Sequence, residues 1–268
     1  MKHLNGDQKW AVLLCQLGEA TPELTRDHFV DFCVNAGTGG LNDYWQSISH
    51  GNITLNGSAV YGWYQAPLSV ADFMNLSRAD KISRIAQLFS ENESELDFSD
   101  YIGILVVTDG DYDKGSVQGG SLDLTFNGTT KPYGVVLAPA DESHSFYAHE
   151  MGHAFGLGHS FDDSGIELDQ GGWKSLPGEY LDKWDIMSAE NVWSSVQPSS
   201  PDFGQSGPGL NAFNMRDQGW LDSARVVEIK GGETSVRLRS AAPYCPASRR
   251  RQLSPPWPAR YRSGLPSW

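Results

Sequence analysis

The sequence predicts an α/β domain built on a twisted, mostly parallel sheet, on three observations. Two apolar runs, Trp10–Cys15 and Tyr101–Val107, read as strands buried on both faces. Amphipathic stretches at helical spacing lie between such runs, the alternation that parallel strands require of their crossovers. The 268 residues are 39% hydrophobic and 11% aromatic, enough to bury a sizeable core and unlike a disordered chain.

The elements follow in order. After the first strand, Thr21 is the expected cap of a helix with Pro22 at its first position, because proline lacks the N–H that is orphaned there. Leu24, Phe29, Phe32, Cys33 and Val34 supply its apolar side as far as Ala36-Gly37. A strand region spans residues 53–64, interrupted at Asn56-Gly57. One long helix is expected over residues 69–89, with Phe73, Ile82, Ile85, Ala86 and Phe89 inward. The strand at residues 101–107 comes next, followed by a Gly/Asp-rich loop, Asp109–Gly115, and a further strand over Tyr133–Ala138. A Ser/Pro-rich loop at 191–208, a helix over 211–219 and a hairpin of 226–229 with 235–238 complete the reading. Residues 241–268 hold six prolines and five arginines with few core formers, and are expected to be a disordered tail.

One stretch carries chemistry. Residues 149–159 read His-Glu-x-x-His-x-x-Gly-x-x-His. Positions four apart on a helix face the same side, so His149 and His153 aim at one ion. A continued helix would carry His159 roughly 15 Å from His149, far beyond the reach of Zn–N bonds near 2.0–2.1 Å. The helix must therefore stop, and Gly156 can take the left-handed conformation that stops it. Three imidazoles leave a fourth tetrahedral position for water, the mark of a catalytic rather than a structural zinc site. Glu150 stands about 100° round the helix from His149, placed to act as general base on a zinc-activated water that attacks a peptide carbonyl. With average residue usage, the five specified positions coincide in roughly one chain in 10⁵ of this length, so a core helix with incidental histidines is the weaker explanation.

At these residues the chain resembles the metzincin clan of zinc endopeptidases, matching every fixed position of the extended motif. Trp184-Asp185-Ile186-Met187-Ser188 follows at the distance of that clan's methionine turn, which makes Met187 its expected methionine. Ser160 after His159 is similar locally to the matrixins. The wider chain looks more like secreted immune-inhibitor-A-like and gametolysin-like metalloproteases, at Tyr44-Trp45 to Gly62-Trp63-Tyr64, at the turn around Met187, and at Gly209-Leu210-Asn211-Ala212 to Gly219-Trp220-Leu221. His159 departs from the Asp that immune-inhibitor-A-like enzymes often carry there. The resemblance implies a catalytic domain over residues 8–222, with an N-terminal lobe to about 159, a C-terminal lobe from 160 and a cleft between. Residues 223–240 would begin a further segment. It also implies that Gly134, Val135, Val136 and Leu137 form an antiparallel edge strand, where an extended peptide adds as an extra strand over the metal. The implied activity is zinc-dependent hydrolysis of peptide bonds in proteins or peptides by a monomer. A catalytically silent zinc-binding module and a truncated, non-functional product are the competing readings, and an intact Glu150 speaks against the former.

Charge and sequons bear on partners and compartment. The formal net charge is −13, and residues 1–240 carry 15 basic against 33 acidic side chains, because the tail holds five arginines and no acid. Such a body repels phosphate backbones, which argues against a nucleic-acid partner. No run of 18 apolar residues and no signal peptide is visible. Five N-x-S/T sites, at Asn52, Asn56, Asn75, Asn92 and Asn127, stand where average composition gives roughly one or two. Together with the family resemblance they predict a secreted glycoprotein whose leader precedes the sequence given. Cys15 and Cys33 read as buried small hydrophobes, with a bridge between them left open. Alternate aspartates at 109, 111 and 113 invite calcium, but Lys114 and Gly120 occupy the places where an EF-hand needs Gly and Glu. Asp162, Asp163, Glu167 and Asp169 form a second acidic group, and neither group is assigned as a metal site.

Overall fold

A computed structural model describes residues 3–19, 21–112, 118–170, 173–191, 195–196, 203–227, 231 and 235. From the N-terminus, Gly6–Asp7 (β1) is followed by Trp10–Gln16 (β2), helices Arg26–Cys33 (α1) and Leu41–Ile48 (α2), and strands Ile53–Thr54 (β3) and Ala59–Gln65 (β4). Helices Val70–Asn75 (α3) and Arg78–Asn92 (α4) lead to Gly103–Thr108 (β5). A hairpin of Gln118–Phe126 (β6) and Thr129–Pro139 (β7) precedes His144–Ala154 (α5), and Ala212–Asp217 (α6) lies in the C-terminal part.

Five strands form the main sheet in the order β4-β2-β5-β7-β6. The first four run parallel and β6 is antiparallel to β7. This is the mixed α/β architecture with a mostly parallel sheet that the alternation of elements predicted. Side chains alternate across the pleat. Trp10, Val12 and Leu14 of β2, with Leu105 and Val107 of β5, point to the face covered by α1, α2 and α5. Ala11, Leu13 and Cys15, with Ile104 and Val106, point to the face covered by α3 and α4. Because both faces are covered, β2 and β5 had to be continuous apolar runs. Cys15 and Cys33 are both unpaired and buried, and they belong to opposite faces of the sheet.

Three expectations are corrected, and one element is new. Helix α1 starts at Arg26 instead of Pro22: the Thr25 hydroxyl accepts from the His28 amide, while the Leu24 carbonyl is held by Trp63 Nε1 at 2.9 Å. The single helix at 69–89 is two. Leu76 is extended, and Ser77 starts a second helix by accepting from the Asp80 amide, as Ser69 does for Asp72. The five residues expected inward are all buried. Gly134–Leu137 do not form an edge: β7 is paired with β5 on one side and β6 on the other. The edge is β6, joined to β7 through Asn127 (φ 52°) and Gly128 (φ 78°), the two positive-φ positions that a two-residue hairpin demands. Helix α2, finally, was unforeseen. The helix expected at 211–219 is present as α6, capped by Asn211. Most of the hairpin expected at 226–238, part of the Ser/Pro-rich loop, Asp113–Gly115 and the whole tail lie outside the described residues.

Among the described residues no helix is long and apolar enough to cross a membrane. At the start of α5, His144 is buried against Phe32 and Tyr44, and burial lowers its pKa to about 4. An unfolded histidine titrates near 6.5, so between these values the unfolded chain binds a proton that the folded one refuses. Stability from the neutral ring is therefore full above about pH 6.5 and falls, by on the order of 2–3 kcal/mol, as the pH approaches 4. Melting curves at pH 7 and pH 4.5 should show a smaller loss for His144→Leu than for the parent chain. Equal losses would mean that His144 is not a source of the acid sensitivity.

Candidate metal centre

The site is built on α5. Ser143 caps its start by accepting from the Phe146 amide. At its end, the Leu157 amide bonds to the Gly152 carbonyl and the Gly156 amide to the His153 carbonyl, each at 2.9 Å, with Gly156 at φ 88°. These two bonds form a Schellman stop, and they reverse the chain immediately after the second histidine. Leu157 turns into the core, and two residues later His159 reaches the face that carries His149 and His153. The three rings each bring a candidate ligand atom to one point, all within 4.8 Å of one another. No other such group of three His, Cys, Asp or Glu side chains converges among the described residues.

The far nitrogen of each ring is pinned. His149 Nδ1 lies 2.9 Å from the Ile186 carbonyl and His153 Nδ1 lies 2.9 Å from the Leu157 carbonyl. A carbonyl only accepts, so both Nδ1 atoms carry the proton and both Nε2 atoms present a lone pair. Those two Nε2 atoms are 3.0 Å apart. Burial lowers the pKa of both rings, that of His149 to about 3, with the neighbouring His153 adding to the effect. His159 Nδ1 meets Glu179 Oε1 at 2.6 Å, and the Tyr180 hydroxyl is 2.9 Å from His159 Nε2.

Glu150 is buried beside the cluster, and its carboxylate accepts from the Gly119 amide of β6. Burial raises its pKa to about 7, the Gly119 bond opposing the shift. Beneath α5, Met187 is wholly buried against Gly152, where a Cβ would overlap its sulfur. Asp185 anchors this turn: its carboxylate accepts from the amides of Met187 at 2.7 Å and Asn211 at 2.9 Å, and from Asn214 Nδ2 at 2.9 Å. The turn thereby presents the Ile186 carbonyl to His149.

The structure thus brings together His149, His153 and His159, places Glu150 beside them and Met187 below, and keeps Gly134–Leu137 one strand away from the edge. Gly119, Glu179, Tyr180 and Asp185 join the site from outside the motif that the sequence displays. Asn127-Gly128, followed by an apolar run, was a hairpin signal from which β6 and Gly119 were legible. Nothing local marks Glu179, twenty residues beyond the histidine it serves. Asp109, from the loop read for calcium, accepts from the amides of Leu17 and Gly18, and Asp162 bonds the amide and hydroxyl of Ser164. No protein-family model matches the chain, and no curated protein matches it either.

Strand β6 passes so close to α5 that a Cβ on Gly119 would overlap the main chain of Glu150, whereas a Cβ on Gly120 would meet nothing within 4 Å. Gly119→Ala should therefore destabilise the chain by about 1–3 kcal/mol, the usual cost of overpacking, and Gly120→Ala should change it little. Chemical denaturation of the two variants checks this, and equal stabilities would refute the close approach.

Proposed function

We propose that this chain is a zinc-dependent endopeptidase of the metzincin type. The observation that carries the reading is the pair of Nε2 lone pairs, on His149 and His153, facing each other at 3.0 Å with both Nδ1 protons committed to carbonyls. Two acceptors at that distance repel unless a cation lies between them. A third imidazole converges on the same point, and three neutral imidazoles suit zinc among first-row ions. His149, His153 and His159 would hold it.

Bound zinc would supply Lewis acidity toward a peptide carbonyl and toward water. Glu150, kept in place by the Gly119 amide, takes the proton of the attacking water and delivers it to the leaving amine nitrogen. The Tyr180 hydroxyl, beside His159 Nε2, is a donor for the carbonyl oxygen as it gains charge. The substrate lies along β6. Gly119 turns its N–H away from β7, so Ser121 and Asp123, in phase with it, turn their main-chain groups to the same side, where an extended peptide adds as a sixth strand. This assigns to β6 the role first expected of Gly134–Leu137. Met187 packed beneath the histidines supports the metzincin reading. The sequons at Asn56, Asn75, Asn92 and Asn127, all exposed, support that of a secreted glycoprotein.

Zinc analysis and a casein-cleavage assay test the reading together. The chain should hold one zinc, and His149→Ala, His153→Ala or His159→Ala should each sharply weaken it. Glu150→Gln touches none of the three imidazoles, so zinc content should persist while hydrolysis falls roughly 10²-fold or more. Cleavage at the parental rate would rule out Glu150 as the base. A zinc-loaded parent chain without hydrolysis would favour a silent binding module.

A further inference from the structure

The three candidate ligand rings are pinned by groups of different charge. Nδ1 of His149 and of His153 each face a neutral main-chain carbonyl at 2.9 Å. Nδ1 of His159 alone faces a carboxylate, and the contact is shorter, 2.6 Å to Glu179 Oε1. Hydrogen bonds with an ionised partner are shorter and roughly twice as strong as neutral ones. The second carboxylate oxygen accepts from the Leu176 amide at 2.7 Å, so the group is held from both ends.

The main chain makes this pairing a designed distance. Beyond His159 the chain leaves on an excursion and returns alongside itself. Tyr180 N bonds to Ser160 O at 2.9 Å, Asp162 N bonds to Gly178 O at 2.9 Å, and Phe161 bridges Glu179 in antiparallel sense. The return is tight: Gly178 has φ 79°, where a Cβ would overlap the Asp162 carbonyl, and Tyr180 has φ 64°. A tyrosine in the left-handed region is strained and persists only where its surroundings impose it. Here the imposed conformation sets Glu179 and Tyr180 against the two nitrogens of one ring, Nδ1 and Nε2.

We propose that Glu179 is a positioning residue that acts through His159 and sets how tightly the centre retains its divalent ion. By accepting from Nδ1–H it fixes the tautomer whose Nε2 carries the lone pair, the atom that the Tyr180 hydroxyl meets here and that a bound ion would take over. By its negative charge it makes His159 the most electron-rich of the three imidazoles. A carboxylate behind a ligand histidine raises its basicity, and removing such a partner typically weakens metal binding 10–100-fold. The inference rests on the zinc-site reading above.

The test compares the parent chain with Glu179→Gln and Glu179→Ala. Zinc affinity is measured by competition with a chromophoric chelator, the cobalt(II) absorption spectrum after exchange, and the melting temperature with excess chelator present. Glu179→Gln keeps a neutral acceptor, so it should bind zinc more weakly than the parent and more tightly than Glu179→Ala, for which a loss of 10–100-fold is expected. The cobalt bands should shift in both variants, while the melting temperature in chelator stays within a few degrees of the parent. Equal zinc affinity in all three chains would overturn the inference. So would a loss of affinity in Glu179→Ala matched by a collapse of the melting temperature in chelator, because Glu179 would then be only a loop staple held by Leu176. A folded parent chain that binds no zinc at all would instead overturn the zinc-site reading itself.

Discussion

The stop at the end of α5 is the constraint on which the centre depends. Two histidines a turn apart arise in any helix with the right spacing, but a third can join them only if the chain reverses within a few residues. The bonds from Leu157 to Gly152 and from Gly156 to His153 enforce that reversal, and they do so at a glycine whose φ of 88° few other residues tolerate. The same reversal turns the Leu157 carbonyl back on His153. One backbone device thus ends the helix, orients the second imidazole and delivers the third.

Around that stop, the centre is supported from three directions that are remote in sequence. From the turn below, Asp185 gathers two amides and a side-chain amide, and through Ile186 holds His149. From the edge of the sheet, Gly119 lets β6 approach until its N–H meets Glu150. From the zipped loop, Glu179 holds Nδ1 of His159 from behind, and the Tyr180 hydroxyl stands at its Nε2. Each support uses a residue without a Cβ or with an unusual φ where two segments come closest, namely Gly152 over Met187, Gly119 against Glu150, and Gly178 and Tyr180 beside Ser160 and Asp162. Rotamers fixed from behind in this way are what a centre with a preset ligand geometry requires.

Much of the fold and the heart of the site were legible in the chain itself, because they rest on short-range physics. Strands buried on both faces must be continuously apolar, so β2 and β5 stood out. Histidines at helical spacing followed by glycine and a third histidine specify a helix, its end and a convergence. Elsewhere two local signals compete and packing chooses between them. Thr21-Pro22 and Thr25 are both good helix starts, and the contact of Trp63 with the Leu24 carbonyl settled the later one. Ser69 and Ser77 both offer a cap to an amide three residues on, yet a continuous apolar stripe on α3 and α4 hid the break between them.

What the sequence determined by itself is therefore the class of sheet, from its apolar strand runs, and, within eleven consecutive residues, the position of the zinc-ligand candidates and the glycine that lets them meet. Only the tertiary structure decided that β6, and not β7, is the edge strand beside Glu150 among the described residues, and that Glu179 stands behind His159. The physical reason is separation along the chain. Strand order depends on pairing between segments that carry no mark of their neighbours, and β7 is apolar whether it lies inside the sheet or at its rim. Glu179 reaches His159 because the main chain zips Ser160 to Tyr180 across an excursion of nearly twenty residues. No local pattern encodes a contact made by the return of a loop.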